Sequence, residues 1–323
     1  TALFGEAVDI TTTIYRHDFS RAWRKLNGFR GGPALGDILA DPDSGVRQVY
    51  YRVLTGEEDS ASEDEHLILG TNARDFVSEG IQTKGRFRFE TAPVDHELEV
   101  GLRYHYDDIT RHHTEDAYRM QGGELARTDE ATATATRSFA YSHAFAAYLR
   151  YGLMWEGLTF TPGLRVEYVS SELRDRLADT RAANDQHAVM LGAGLHYAIT
   201  DTFGVLAGVH QGFSPVAPGQ PQDVKPETSI NYEAGARYSD PAAGTLAEAV
   251  FFFNDYDNLT GECTFSAGCA QDDLDRQFNA GQVNVLGVEV VASHRFEIGE
   301  VHIPLRAAYT FTWSEFQNAF RSD

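Results

Sequence analysis

Apolar and polar positions alternate with a period of two through long stretches of this chain, the pattern of a strand with two unlike faces. Between Val224 and Asn258 the alternation is clean: Ile230, Tyr232, Ala234, Ala236 and Tyr238 share one face, and Ser229, Asn231, Glu233, Gly235 and Arg237 the other. A Ser-Asp-Pro-Ala-Ala-Gly turn follows and a second apolar strand runs back. From His96 to Thr110, Leu98, Val100, Leu102, Tyr104 and Tyr106 alternate with Glu97, Glu99, Arg103, His105 and Asp107. From Leu158 to Ser170, Leu158, Phe160, Pro162, Leu164, Val166 and Tyr168 stand opposite Thr159, Thr161, Arg165 and Glu167.

The pattern predicts eleven strands: Leu3–Asp18, Ala73–Glu90, His96–Thr110, Arg137–Met154, Leu158–Ser170, His187–Ile199, Phe203–Gly212, the two of the hairpin above, Val283–Glu297 and Val301–Phe316. Their connections alternate between tight turns, such as Trp-Glu-Gly and Ile-Gly-Glu, and longer polar stretches. The long ones are an acidic stretch containing GEEDSASEDE, then Arg111–Thr136, Glu172–Gln186, Phe213–Lys225 and Asn258–Phe278. Strands of roughly 12 to 18 residues exceed the usual globular length of about five or six. Long strands with short turns on one side and long loops on the other predict an all-β fold, an antiparallel transmembrane β-barrel. Tyr106, Tyr151, Trp155, Tyr168, Tyr197, Tyr238 and Trp313 lie near strand ends, where aromatic girdles belong. One strand departs from the rule: Val250, Phe251, Phe252 and Phe253 are apolar on both faces, so something inside the barrel, such as a plug, is expected to cover one of them.

Composition narrows the partners. A net charge of −21 with pI near 4.9 leaves no basic stripe for nucleic acid. No run of about 18 apolar residues supplies a helical span. A mean hydropathy of −0.36 suits barrel strands, which spend only every second residue on lipid. Cys263 and Cys269, in CTFSAGC, read as a disulfide across a short loop in an oxidising compartment; metal binding is the rival, and two thiols without neighbouring His make a poor zinc site.

The segments DVKPETSINYEAGARY, FFFNDYDN and NAGQVNVLGVEV resemble TonB-dependent outer-membrane receptors, in the order those receptors use late in their barrels. FNDYDNLTGECTFSAGC and RHDFSRAWRKLNGF are similar to the ferric-dicitrate (FecA-like) branch. The resemblance implies a 22-stranded barrel with an N-terminal plug. Residues 1–323 are then a partial barrel domain, roughly its middle half, with the plug outside this chain. It further implies a bacterial outer-membrane location, contact with lipid and lipopolysaccharide, and energy from a TonB–ExbB–ExbD system acting through the plug.

No cofactor site, metal site or catalytic constellation emerges, so an enzyme is not expected. His112 and His113 point in opposite directions along an extended chain and read as part of a solvated loop. Ser214 in GFSP is not a nucleophile elbow. Binding is the expected chemistry. At the mouth, the strand ends bring Arg16, His17, Arg74, Arg111, His112, His113, Arg137 and Gln211 as candidate ligand-binding groups, because a carboxylate-rich ferric chelate needs Arg forks and amide donors. Salt bridges to nearby acids are the alternative role for each Arg. Lys84, Arg86, Arg88, Glu97, Glu99, Arg103, Arg165, Glu167, Glu233, Arg237, Glu289 and Arg306 are expected on the lumen wall. The acidic run Glu57–Glu65 reads as a solvated loop, with divalent-cation bridging to lipopolysaccharide as a lesser reading. The expected function is import of a ferric chelate, ferric citrate first. A passive porin, an outer-membrane enzyme, and a receptor for another siderophore, haem, nickel or a sugar are the rivals.

Overall fold

The computed structural model describes residues 2–3, 7–220, 224–262 and 277–317, so Cys263 and Cys269 lie outside the described residues. Eleven long antiparallel strands form one sheet in which each pairs with its sequence neighbours. They are β1 (Val8–Phe29), β2 (Leu67–Thr91), β3 (Val94–Gln121), β4 (Ala133–Trp155), β5 (Leu158–Asp175), β6 (Thr180–Ala198), β7 (Phe203–Ser214), β8 (Glu227–Asp240), β9 (Thr245–Asp257), β10 (Val283–Ile298) and β11 (Val301–Phe316). Short pieces flank them: Ala2–Leu3 pairs with β1, Glu124–Arg127 pairs with the end of β3, and Thr260–Glu262 pairs with Gln277–Asn279. Among the described residues no helix is long and apolar enough to cross a membrane, which says nothing of crossing by strands.

Register carries the alternation of each strand across the whole sheet. Ile14, Ile81, Tyr104, Phe145 and Tyr168 stand in one cross-strand row of the apolar face. That face is open: Leu102 is 62% exposed and Leu191 61%. So continuous an uncovered apolar surface is what lipid, not water, would wet. The polar face holds ion pairs. Arg86 reaches Glu99 at 2.9 Å, Arg150 reaches Glu97 at 2.9 Å, Arg88 reaches Glu97 at 3.2 Å, and the Tyr148 hydroxyl donates to Glu99 at 2.9 Å.

The connections at 92–93, 156–157, 199–202, 241–244 and 299–300 are tight. Glu156 and Gly157 both have positive φ, 43° and 84°, which matches the right-handed twist of a two-residue hairpin. At the other end the strands run further than the alternation predicts. β1 begins at Val8 and continues to Phe29, instead of ending at Asp18. Most of Arg111–Thr136 is strand, including His112 and His113, and Glu172–Gln186 is strand on both sides of a turn at 176–179. These extensions carry polar residues on both faces, so no period of two marks them; cross-strand hydrogen bonding, not burial, keeps them extended. The acidic interval 30–66 contains α1 (Leu35–Ala40) and α2 (Gly45–Thr55). Val53 of α2 is fully buried with Leu67 and Met120, against Leu26, Phe29 and Leu69, and so caps the far ends of β1–β3. The doubly apolar run of β9 finds part of its cover within the sheet. Phe252 lies over Gly287 of β10 and Val250 over Gly235 of β8, where an added Cβ would stand 2.6 Å from Phe252 Cζ and 3.0 Å from Val250 Cγ2.

Candidate functional site

The far ends of β1, β2 and β3 bring chemistry together on the polar face. β1 contributes Tyr15, His17, Phe19, Arg21 and Trp23; β2 contributes Asn72, Arg74, Phe76 and Ser78; β3 contributes His105, Asp107, Ile109, Arg111 and His113. These are alternate positions of three neighbouring strands, so register alone assembles them. Next to them β4 presents only small groups, Thr136, Ser138, Ala140 and Ser142, which leaves open space beside the cluster.

Its centre is a cross-strand row of three arginines: Arg21 is the direct partner of Arg74, and Arg74 of Arg111. Like charges placed directly opposite on adjacent strands repel, and an anion bound across the row would relieve that repulsion. Aromatic rings frame it. The Arg21 guanidinium lies 4.0 Å from the Trp23 ring centre and 5.5 Å from that of Phe76, and Phe76 packs on Phe19 with centroids 5.8 Å apart. Arg74 Nε points at His113 Nε2, 3.3 Å away. Two rows down from the arginines, His17 has Ser78 as its direct partner and its ring centre lies 6.3 Å from that of Tyr15. Tyr15 Oη is 2.5 Å from His105 Nδ1, and His105 Nε2 is 2.6 Å from Asp107. The arrangement offers a charged, ring-lined surface for an anion with some flat or apolar character.

The eight residues expected at the mouth therefore divide. His17, Arg74, Arg111 and His113 share the polar face. Arg16, His112, Arg137 and Gln211 have the parity of Ile14, Tyr104, Phe145 and Val209 on the other face. Arg16 is ion-paired there with Asp18 at 2.9 Å and Glu79 at 2.8 Å. Gln211 accepts a hydrogen bond from the Leu191 N–H at 2.9 Å, where the β6–β7 ladder ends. Phe19, Arg21 and Trp23 are additions from the part of β1 past Asp18, which the alternation does not mark, and Phe76 is an addition from within the predicted strand Ala73–Glu90.

Over β5 and β6 the same face is covered. Gln186 and the 215–220 loop exchange two hydrogen bonds: Gln186 Nε2 donates to the Val216 carbonyl at 3.1 Å, and the Val216 N–H donates to Gln186 Oε1 at 2.8 Å. Side-chain amides then tie that loop to the next. The Ala217 N–H donates to Gln277 at 2.9 Å, and the Lys225 N–H to Asn279 at 2.9 Å. The covered half and the open arginine half lie side by side at one end of the sheet.

A family model described as TonB dependent receptor-like, beta-barrel matches residues 5–323. The ferrioxamine B receptor of Salmonella typhimurium is 26% identical over 69% of this chain and 31% of its own length. The pesticin receptor of Yersinia pestis is 33% identical over 41% of this chain and 20% of its own. Among solved structures, the siderophore receptor PiuA from Acinetobacter baumannii superposes with a TM-score of 0.71 at 15% identity, over 99% of this chain and 46% of that one. The unliganded ferric citrate transporter FecA does so with a TM-score of 0.62 at 17% identity, over 97% of this chain and 50% of that one. The chain thus spans a third or less of these curated relatives and about half of these solved structures.

Proposed function

Because the chain belongs to the TonB-dependent receptor β-barrel family, we propose that it forms part of a receptor that captures a ferric chelate at the cell surface and imports it unchanged, with ferric citrate as the cargo. Proteins of this family reside in the outer membrane of Gram-negative bacteria, and the exposed apolar face meets its lipid. The polar face then looks into the lumen, with the tight turns on the periplasmic side and the extended hairpins outside. The row Arg21–Arg74–Arg111 carries the proposal: three guanidiniums in register on the lumen side of the mouth answer the charge of a carboxylate-rich complex. Nothing in the cluster offers chemistry on the chelate. Transport energy comes from the TonB–ExbB–ExbD system acting through a plug.

The ring frame of Trp23, Phe76 and Phe19 favours a second reading, a chelate with flat or aryl groups, and the relatives named above include receptors for other cargo. One experiment separates the two. Radioiron uptake is measured in cells carrying the intact gene, its deletion, or R74Q and R111Q variants, with and without a working TonB system. Ferric citrate as cargo requires uptake from citrate that needs both gene and TonB. Each Arg change should weaken citrate-dependent uptake about 10- to 100-fold, the equivalent of a charged hydrogen bond worth about 1.5–3 kcal/mol. Uptake from citrate that survives deletion of the gene sinks the citrate reading. Loss of uptake for an aryl chelate alone selects the second reading, and TonB-independent entry means a passive channel.

A further inference from the structure

Below the arginine row the lumen wall carries a chain of hydrogen bonds whose direction is fixed at both ends. Tyr15, Gly80 and His105 stand in one cross-strand row, three same-face positions in from Arg21, Arg74 and Arg111. That is about 20 Å along the strands. Gly80 has no side chain, so Tyr15 lies across β2 and reaches β3; a Cβ at position 80 would stand 2.6 Å from its hydroxyl. Arg103 donates to Tyr15 Oη at 3.0 Å, Tyr15 Oη is 2.5 Å from His105 Nδ1, and His105 Nε2 is 2.6 Å from Asp107 Oδ2. Among the described residues, the other titratable group facing this chain is His17 on β1. β2 presents Ser78 and Gln82 there, and β4 presents only Ser142, Ala144 and Ala146, too small to cover the row.

An ionised carboxylate only accepts, so the hydrogen between His105 and Asp107 belongs to Nε2. In the neutral ring Nδ1 is then a bare acceptor, and the Tyr15 hydroxyl donates to it. Arg103 only donates, so it also spends a hydrogen on Tyr15 Oη. In this state Tyr15 offers the lumen a lone pair and no donor, the wrong polarity for an anion. A proton added to Nδ1 reverses the chain. The ring then donates to Tyr15 Oη, and the phenolic hydrogen turns about the C–O bond towards the lumen. Arg103 and Asp107 cancel in charge, so the protonated ring leaves the row with one positive charge. We infer that Tyr15, His105 and Asp107 form a second anion station inside the lumen, which binds a carboxylate-bearing chelate together with one proton. The station rests on the reading of the cargo as an anionic chelate. Proton and anion each tighten the binding of the other, so the cargo is held more firmly at acid pH and released as His105 gives up its proton. The guanidiniums of the upper row keep their charge throughout and supply no such coupling.

The test uses the full-length receptor purified in detergent, with ferric citrate as the probe. Calorimetric titration between about pH 6 and 8, in buffers of unlike ionisation heat, gives both the affinity and the number of protons taken up. Wild type should bind with net proton uptake, and its affinity should fall as pH rises, by up to about tenfold per pH unit. His105→Gln keeps a hydrogen-bonding side chain without a titrating ring, and should show a flatter pH dependence with fewer protons taken up. Tyr15→Phe should bind about tenfold more weakly than wild type at the acid end and match it at the alkaline end, where the hydroxyl has no donor to offer. A merely structural role for Tyr15 would weaken binding equally at both ends. His302→Gln, beside the β10–β11 turn, is the imidazole control and should behave as wild type. The heat-dependent mobility shift of folded barrels verifies that each variant folds. Equal proton uptake and pH slope in wild type and folded His105→Gln overturn the station, as does a Tyr15→Phe deficit that is independent of pH; either leaves citrate import standing. Failure of wild type to bind ferric citrate at any pH overturns the station and the citrate reading together.

Discussion

Single side chains in this sheet are constrained by what stands one strand away, and two substitutions expose that constraint. Gly80 faces Tyr15 and the backbone of β3: a Cβ there would lie 2.6 Å from the Tyr104 carbonyl oxygen and 2.6 Å from the Tyr15 hydroxyl. Backbone cannot step aside as a side chain can, so Gly80→Ala should cost about 1–3 kcal/mol, read as a lower urea midpoint of the folded barrel. Gly194→Ala, which meets nothing within 4 Å, should leave the midpoint almost unchanged. Asp116 supplies a pH-dependent case above the membrane. Hydrogen bonds from the Thr132 hydroxyl and from Arg127, each 2.6 Å, hold its carboxyl below the ordinary 3.8 despite partial burial. A depressed folded-state value means that the stabilisation is fully present above pH 3.8 and is lost as pH falls through the lower folded value. Hydrogen exchange of the 117–127 amides, corrected for intrinsic rates, should therefore accelerate below pH 3.8 in wild type, while D116N should show weaker protection at neutral pH and no such step. Neither constraint was legible from the sequence. Gly80 looks like any other small residue until the register sets Tyr15 against it, and Arg21, Arg74 and Arg111 become one row only through pairing.

Elements were readable where the two faces meet different surroundings and unreadable where they do not. The alternation located every membrane-depth strand, because lipid on one side and polar lumen on the other impose a period of two. It stopped at Asp18, Thr110 and Ser170, whereas the strands continue to Phe29, Gln121 and Asp175, where both faces are polar or contact loops. The helix α2 was hidden in the same way, its short apolar stripe lying within an acidic interval. Loops folded back over the sheet leave no periodic signal at all, and the Gln186–Val216 pair is the contact that fixes one of them. Gln186 and Val216 are 5% and 3% exposed, so truncating the amide strands a backbone donor and a backbone acceptor in a dry site. Each stranded group costs about 1–3 kcal/mol. Gln186→Ala should speed exchange of the 215–219 amides by about 30-fold or more while the β8–β9 hairpin keeps its protection. Gln186→Glu, which retains an acceptor for the Val216 N–H, should fall between; equal protection in all three proteins would show that the loop is held by something else.

The whole sheet has two ends that do not meet. The outer edge of β1 is bordered only by Ala2–Leu3 over two residues, β11 pairs with β10 alone, and β1 and β11 are not partners among the described residues. In water such edges are a liability; in a bilayer each unpaired N–H and C=O costs several kcal/mol, so a lipid-embedded sheet must close. The outward residues of β11 show how much surface is at stake, with Tyr309 62% exposed and Trp313 57%. Residues 1–323 produced alone should therefore fail to give a discrete, heat-modifiable monomer in detergent, and should be recovered as aggregate or as protease-sensitive material. Supplying further strands to pair the two free edges, in the same chain or co-expressed, should restore a folded species. A defined species of twice the chain mass would carry a different lesson: eleven strands from each of two copies supply the 22 expected of a closed barrel, and the two edges would then be each other's partners. A heat-modifiable monomer from residues 1–323 alone would mean that β1 and β11 can close on one another, at a diameter too small for both a plug and the arginine-lined mouth.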